Sequence, residues 1–280
     1  MTTPAPLPGL PIDAALPALR AALAGHPSVV LEAPPGAGKT TRVPLDLLAA
    51  PWLSDQKILL LEPRRLAARA AARRMAALLG QAEGETVGYR TRLETRISRQ
   101  TRIEVVTEGI LTRLLQADPA LTGYGLVIFD EFHERSLQAD LGLALTLQTQ
   151  ALLRPELRLL VMSATLDGAA VAALLGGAPR VRSEGRSHPV ELRYLPGEAP
   201  LEARLEAAIR RALAETAGSL LVFLPGTPEI RRLAARLERA GLPADVTVCP
   251  LYAGLEPAAQ DAAIAAPPPG TRKIVLATRI

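Results

Sequence analysis

The sequence predicts an α/β fold, a mainly parallel sheet with helices on both faces. Three observations carry that reading. Short apolar runs alternate with longer helical patterns almost throughout the 280 residues. Several of these runs are too continuously apolar to be strands with one face in water. Residues able to do chemistry stand repeatedly just after such a run, where parallel sheets bind their ligands.

Taken in order, the chain opens on M-T-T-P-A-P-L-P-G-L-P, a Pro-rich lead-in without the basic start and apolar core of a signal peptide. Strands are expected at Val29–Leu31, Ile58–Leu61, Ile103–Thr107, Leu126–Asp130 and Leu159–Met162. Four more follow at Leu192–Leu195, Leu220–Leu224, Val246–Val248 and Ile274–Ala277. Helical patterns lie between many of them, at Arg65–Leu79, Glu108–Gln116, Leu137–Leu153 and Glu202–Glu215. Periodicity lapses in Arg180–Pro189, R-V-R-S-E-G-R-S-H-P, which reads as a linker between a first domain over 1–181 and a second over 182–280. The second run of strands and helices stops inside a strand, which would leave an unpaired edge. The second domain therefore reads as incomplete.

Composition narrows the classes further. Hydrophobic residues make up 49%, so the chain is globular. The net charge of +4, almost all of the basic residues being arginine, leans toward a polyanionic partner. The single cysteine, Cys249, excludes an internal disulfide and a Cys-based zinc site, and no disulfide-linked partner is expected. No apolar run approaches the ~18 residues of a membrane span. A cytoplasmic protein is the expectation.

The stretch around which the rest is organised is Leu31–Pro44, L-E-A-P-P-G-A-G-K-T-T-R-V-P. A strand ends there, Pro34 to Gly38 cannot continue it, and a helix begins after Lys39. That is the strand–loop–helix context of a P-loop. Gly36, Ala37 and Gly38 would present backbone N–H groups to a phosphate, the glycines with no Cβ in the way. Lys39 would supply a point charge to the β- and γ-phosphates, Thr40 a hydroxyl for Mg²⁺, and Thr41 would extend the cradle at the helix N-terminus. Ala33 stands where the consensus spacing has its first glycine.

Leu126–Glu131, L-V-I-F-D-E, is an apolar strand delivering two carboxylates, the form of a Walker B segment. With a phosphate loop on a neighbouring strand, Asp130 would hold Mg²⁺ and Glu131 would act as general base on water. An acidic pair capping the next helix is the competing use. His133 is either structural or couples nucleotide state to a neighbouring domain. Ser163 and Thr165, in S-A-T, either bond to the D-E-F-H loop or cap a helix. Arg64 and Arg65 open a basic helix face that is solvated by default and would otherwise meet a nucleic-acid backbone; Thr107–Gly109 could join them. There is no H-E-x-x-H, G-x-S-x-G or C-x-x-C, and the glycine spacing is not that of a dinucleotide site.

In order, G-A-G-K-T-T, E-P-R-R-L-A-A, T-E-G-I-L, D-E-F-H, S-A-T, L-V-F-L-P-G, P-L-Y-A-G-L and I-V-L-A-T resemble a superfamily 2 helicase of the DEAH-box class, the bacterial HrpB type above all. The resemblance implies two RecA-like domains, the second partial here, with ATP in the cleft and nucleic acid, RNA by preference of the class, across both. It implies that Lys39 and Thr40 hold phosphate and Mg²⁺, and that Asp130 and Glu131 are Mg²⁺ ligand and catalytic carboxylate. His133, Ser163 and Thr165 match residues linking hydrolysis to strand movement, and Arg64, Arg65, Thr107 and Thr278 fall in motifs that touch the nucleic-acid backbone. Two departures stand out. A-T-N-I-A-E-T appears as A-T-R-I, and the Q-x-x-G-R-x-G-R motif with its arginine finger is absent. An arginine finger is worth about 10³–10⁵ in rate, so slow hydrolysis is expected of this chain.

Overall fold

A computed structural model describes residues 9–164, 168–185 and 189–278. The chain forms two compact units, Met1–Pro189 and Val190–Ile280.

In the first unit, a 3₁₀ turn at Pro11–Ala15 leads into α1 (Leu16–Gly25), β1 (Ser28–Glu32) and α2 (Lys39–Leu47). There follow β2 (Lys57–Glu62), α3 (Arg65–Leu78), β3 (Val87–Arg90), β4 (Thr95–Arg96), β5 (Ile103–Thr107) and α4 (Glu108–Ala117). The unit continues with β6 (Tyr124–Phe129), α5 (Leu137–Leu152), β7 (Arg158–Ser163), α6 (Gly168–Leu174) and β8 (Arg180–Arg182). The strand order is β4-β3-β5-β2-β6-β7-β1-β8, parallel throughout except for the β3–β4 pair.

Alternate residues of one strand feed two cores, as the period of two requires. Val29, Leu31, Ile58, Leu60, Ile128 and Met162 pack with α1, α2 and α3 on one face. Val30, Leu59, Leu61, Val127, Phe129 and Val161 pack with α4, α5 and α6 on the other. Strands buried on both faces explain the unbroken apolar runs that the sequence shows.

Two expectations change here. The phosphate-loop strand β1 and the D-E strand β6 are not neighbours, because β7 lies between them and pairs with both. The start of the presumed linker, Arg180–Arg182, is strand β8 on β1, and Ser183 N–H donates to the Glu32 carbonyl at 2.8 Å. Three residues flanked by Gly, Ser and Pro carry too little periodicity to be read as a strand; the partner strand supplies the order.

The second unit holds α7 (Leu201–Glu215), β9 (Leu220–Phe223), α8 (Thr227–Arg239), β10 (Val246–Leu251), α9 (Pro257–Ile264) and β11 (Arg272–Ala277). Its sheet is β10-β11-β9, all parallel. Ile209, Leu213, Ile230, Leu233 and Leu237 cover one face through Val246, Ile274 and Leu276. Leu192–Leu195 is not a strand: it alternates as one, but no strand of this sheet pairs with it, and Leu192 and Tyr194 are exposed. An alternating pattern specifies a strand only where a sheet edge and a core receive it.

Candidate nucleotide site at the strand ends

Because β1, β2, β5, β6 and β7 run parallel, their C-terminal ends share one edge of the first sheet. The described candidate residues of the first unit lie at the ends of those strands, on the loops that leave them or in the first turns of the helices that follow.

After β1 the chain turns through Gly36 at φ +76° and Gly38 at φ +93°, and Ala37 N–H donates to the Pro34 carbonyl at 3.2 Å. Gly38 is the N-cap of α2, so Lys39, Thr40 and Thr41 form its first turn, where backbone N–H groups have no partner within the helix. Lys39 is buried, 3% exposed. Ala33 is buried in the continuation of β1, its N–H donating to the Ser163 carbonyl at 3.0 Å. Alanine fits there because that residue is still extended chain and not part of the turn.

Asp130 follows β6 directly, its N–H donating to the Leu61 carbonyl at 3.0 Å. Its carboxylate is buried and accepts hydrogen bonds from the Thr40 hydroxyl and, at 2.8 Å, from Glu131 N–H. Lys39 Nζ donates to Glu131 Oε1 at 3.0 Å. Successive side chains of an extended strand point to opposite faces, so an Asp-Glu pair there would diverge. Glu131 instead adopts the left-handed region at φ +47°, and both carboxylates meet the phosphate loop. That conformation costs a non-glycine residue roughly 1–2 kcal/mol, the kind of strain concentrated at functional sites.

Burial pushes the Asp130 carboxyl above its ordinary range; the Thr40 hydrogen bond and the Lys39 charge oppose the rise, and the Glu131 charge adds to it. Glu62, the last residue of β2, is also buried and is pushed up to about 9, first by burial and then by the neighbouring Asp130 charge and hydrogen bond. Glu62 is not among the residues that the sequence singles out. Its signal is nonetheless local: I-L-L-L-E ends an apolar strand on a carboxylate just as L-V-I-F-D does.

His133 sits in a 3₁₀ turn, Phe132–Glu134, anchored by Phe132 packing edge-on to Phe129 with ring centroids 6.1 Å apart. Its Nδ1 accepts the Ala164 N–H at 3.3 Å and lies 3.4 Å from Glu131 Oε2. Accepting at Nδ1 places the imidazole proton on Nε2. The D-E-F-H loop is thus joined to S-A-T through the middle residue of that motif. Ser163 is buried at the end of β7, and Thr165 lies outside the described residues.

Arg64 precedes α3 and donates through Nη2 to both carboxylate oxygens of Glu134, at 2.7 and 2.8 Å. Arg65 is exposed at the first position of α3. Thr107 is the N-cap of α4, its side chain making no capping bond, and Ser136 donates to Glu108 Oε2 at 2.6 Å. That last bond ties T-E-G to the start of α5. Thr278 belongs to the second unit, where its N–H meets the Leu251 carbonyl at 3.4 Å.

Hydroxyl and carboxylate oxygens are the donors a hard divalent cation takes, and Mg²⁺ is usually held by one or two carboxylates together with substrate phosphates. The Thr40–Asp130 pair fits that pattern. Among the described residues no group of three His, Cys, Asp or Glu side chains forms a cage of the kind that binds other metals. No helix among them is long and apolar enough to cross a membrane, and Cys249 is a free, half-buried thiol on β10.

Comparisons with known proteins place the chain among helicases. The chain is 55% identical over 276 residues to the protein named ATP-dependent RNA helicase HrpB of Escherichia coli (strain K12), covering 97% of this chain and 34% of that protein. It is 36% identical over 280 residues to the pre-mRNA-splicing factor ATP-dependent RNA helicase prp22 of Schizosaccharomyces pombe, covering 97% of this chain and 24% of that one. The chain therefore spans about a third or less of the length of these relatives. A crystal structure of the E. coli DEAH/RHA helicase HrpB superposes with a TM-score of 0.90 at 53% identity, over 97% of this chain and 35% of that one. A second, titled as the E. coli DExH-box NTPase HrpB, gives 0.79 at 52% identity, over 99% and 34%. The family described as DEAD/DEAH box helicase matches residues 14–174, from just ahead of α1 to the end of α6. More than half of the chain lies in that match, and the chain belongs to the DEAD/DEAH box helicase family.

Proposed function

We propose that this chain is the nucleotide-hydrolysing part of an ATP-dependent RNA helicase. The observation that carries the reading is the meeting of Lys39 and Thr40 with Glu131 and Asp130 across two non-adjacent strands. The names of the two relatives, both ATP-dependent RNA helicases, support the choice of nucleotide and of partner.

In this reading the N–H groups of Gly36 to Thr41 and the Lys39 ammonium take the phosphates of ATP. Thr40 and Asp130 would hold Mg²⁺, which supplies charge neutralisation at the β- and γ-phosphates when bound. Glu131 orients the attacking water and accepts its proton. His133, whose Nδ1 accepts the Ala164 N–H beside Glu131, would link the D-E-F-H loop to S-A-T and so to strand movement. Arg64, Arg65, Thr107 and Thr278 would meet the RNA backbone, with Arg64 exchanging Glu134 for a phosphate. The two units would be RecA-like domains of a cytoplasmic motor, and cycles of binding and hydrolysis would move it along one RNA strand and displace the complement.

The test is phosphate release by this chain with Mg²⁺ and ATP, with and without single-stranded RNA, beside Lys39→Ala. Release that RNA stimulates and Lys39→Ala abolishes supports the reading. Release indifferent to both sinks it.

A further inference from the structure

We infer that the segment Leu10–Asp13, which precedes the phosphate loop by some twenty residues, is a positioning device that aims the loop's Gly38 N–H at the phosphates of a bound nucleotide. The inference rests on the nucleotide reading above and adds to it residues outside the loop and the carboxylate pair.

Ile12 N–H donates to the Ala37 carbonyl at 3.1 Å. In a trans peptide the C=O and the following N–H point in opposite directions. Holding the Ala37 carbonyl on Ile12 therefore turns the Gly38 N–H away from Ile12. Gly38 is flanked on that same side by Leu10: a Cβ built on Gly38 would come within 2.6 Å of Leu10 Cδ1. Ile12 and Ala37 are both buried, in one core. The middle peptide of the loop is thus fixed by a neighbour and cannot rotate by itself.

The segment is in turn held in place. Asp13 Oδ2 accepts the Leu10 N–H at 2.8 Å, which closes the turn. Arg42 donates through Nε to Asp13 Oδ1 at 2.8 Å and through Nη2 to Oδ2 at 3.2 Å. The Arg42 hydrogen bond keeps the Asp13 carboxyl below its ordinary range, so it is an anion throughout the neutral range. Arg42 lies one turn into α2, the helix that begins at Lys39. On the other side Ser183 Oγ donates to the Pro11 carbonyl at 3.2 Å. Segment, loop and helix form one closed frame: Asp13 to Arg42, along α2 to Gly38, and from Ala37 back to Ile12. Preorganising backbone donors in this way removes an ordering cost that binding would otherwise meet.

The experiment titrates the 280-residue chain with a fluorescent ADP in the presence of Mg²⁺ and records affinity and binding stoichiometry together. Wild type and Lys39→Ala come first, since absence of Lys39-dependent binding in the wild type would overturn the nucleotide reading itself. Given that binding, Asp13→Ala should raise Kd at least fivefold with full stoichiometry. A purely structural role would instead lower the stoichiometry, as part of the chain unfolds, at unchanged Kd, and that result overturns the inference. Should Asp13→Ala fail to fold, Arg42→Gln removes the outer bond and leaves the Leu10–Asp13 turn. A Kd for Arg42→Gln within twofold of wild type then overturns the inference, and a larger rise at full stoichiometry supports it.

Discussion

Lys39 Nζ donates to Glu131 Oε1 at 3.0 Å across 92 positions of sequence, with the lysine side chain 4% exposed. A triphosphate entering the loop competes with Glu131 for that ammonium. Lys39→Ala should therefore lose nucleotide affinity by tenfold or more. Glu131→Gln should keep or tighten binding, because it removes a competing anion, while turnover falls by about 10²–10⁴ as expected for loss of a general base. Titration with ADP and steady-state phosphate release on the same preparations check both halves. Normal turnover by Glu131→Gln would show that the base is another group.

Glu62 offers a pH test. Its ordinary value is 4.5, and burial beside Asp130 raises it to about 9 in the folded chain. A carboxyl raised by folding favours the native state most below about 4.5, and that advantage is lost as pH climbs toward about 9. The urea midpoint of the wild type, in EDTA, should fall across that window. Glu62→Gln cannot ionise and should give a flatter profile, with higher stability than wild type at pH 8. Parallel profiles would show that Glu62 does not titrate in that range.

Gly38 carries two separate demands for glycine. Its φ of +93° disfavours a side chain, and a Cβ would press on Leu10 at 2.6 Å. Gly38→Ala should lower stability by ~2 kcal/mol or more and abolish nucleotide binding. Gly36→Ala meets only the φ of +76°, with nothing within 4 Å of a Cβ, and should cost about 1–2 kcal/mol. Thermal melts of the two variants compare them directly. Equal losses would mean that the Leu10 contact yields freely.

His133→Ala removes the acceptor for Ala164 N–H while leaving Lys39, Thr40 and Asp130 in place. ADP affinity should stay within threefold of wild type. The ratio of RNA-stimulated to basal phosphate release should fall toward one. A preserved ratio would place the coupling elsewhere.

The sequence by itself settled the fold class and named the main candidate residues. Strands buried on both faces are largely apolar, and strand ends must turn, so V-V-L-E-A-P-P-G-A-G-K-T and L-V-I-F-D-E declare both structure and chemistry locally. The order of strands was different in kind. That β7 separates β1 from β6, that Arg180–Arg182 completes the sheet, and that Leu192–Leu195 finds no strand of β9–β11 to pair with depend on partners distant in the chain. The same holds for Glu62 beside Asp130, for the left-handed turn at Glu131, and for Ile12 on Ala37. Local pattern records what a residue can bury or bond. Which group it meets is decided by packing, where one strand order satisfies strand pairing and apolar burial together, and that choice belongs to the whole folded unit.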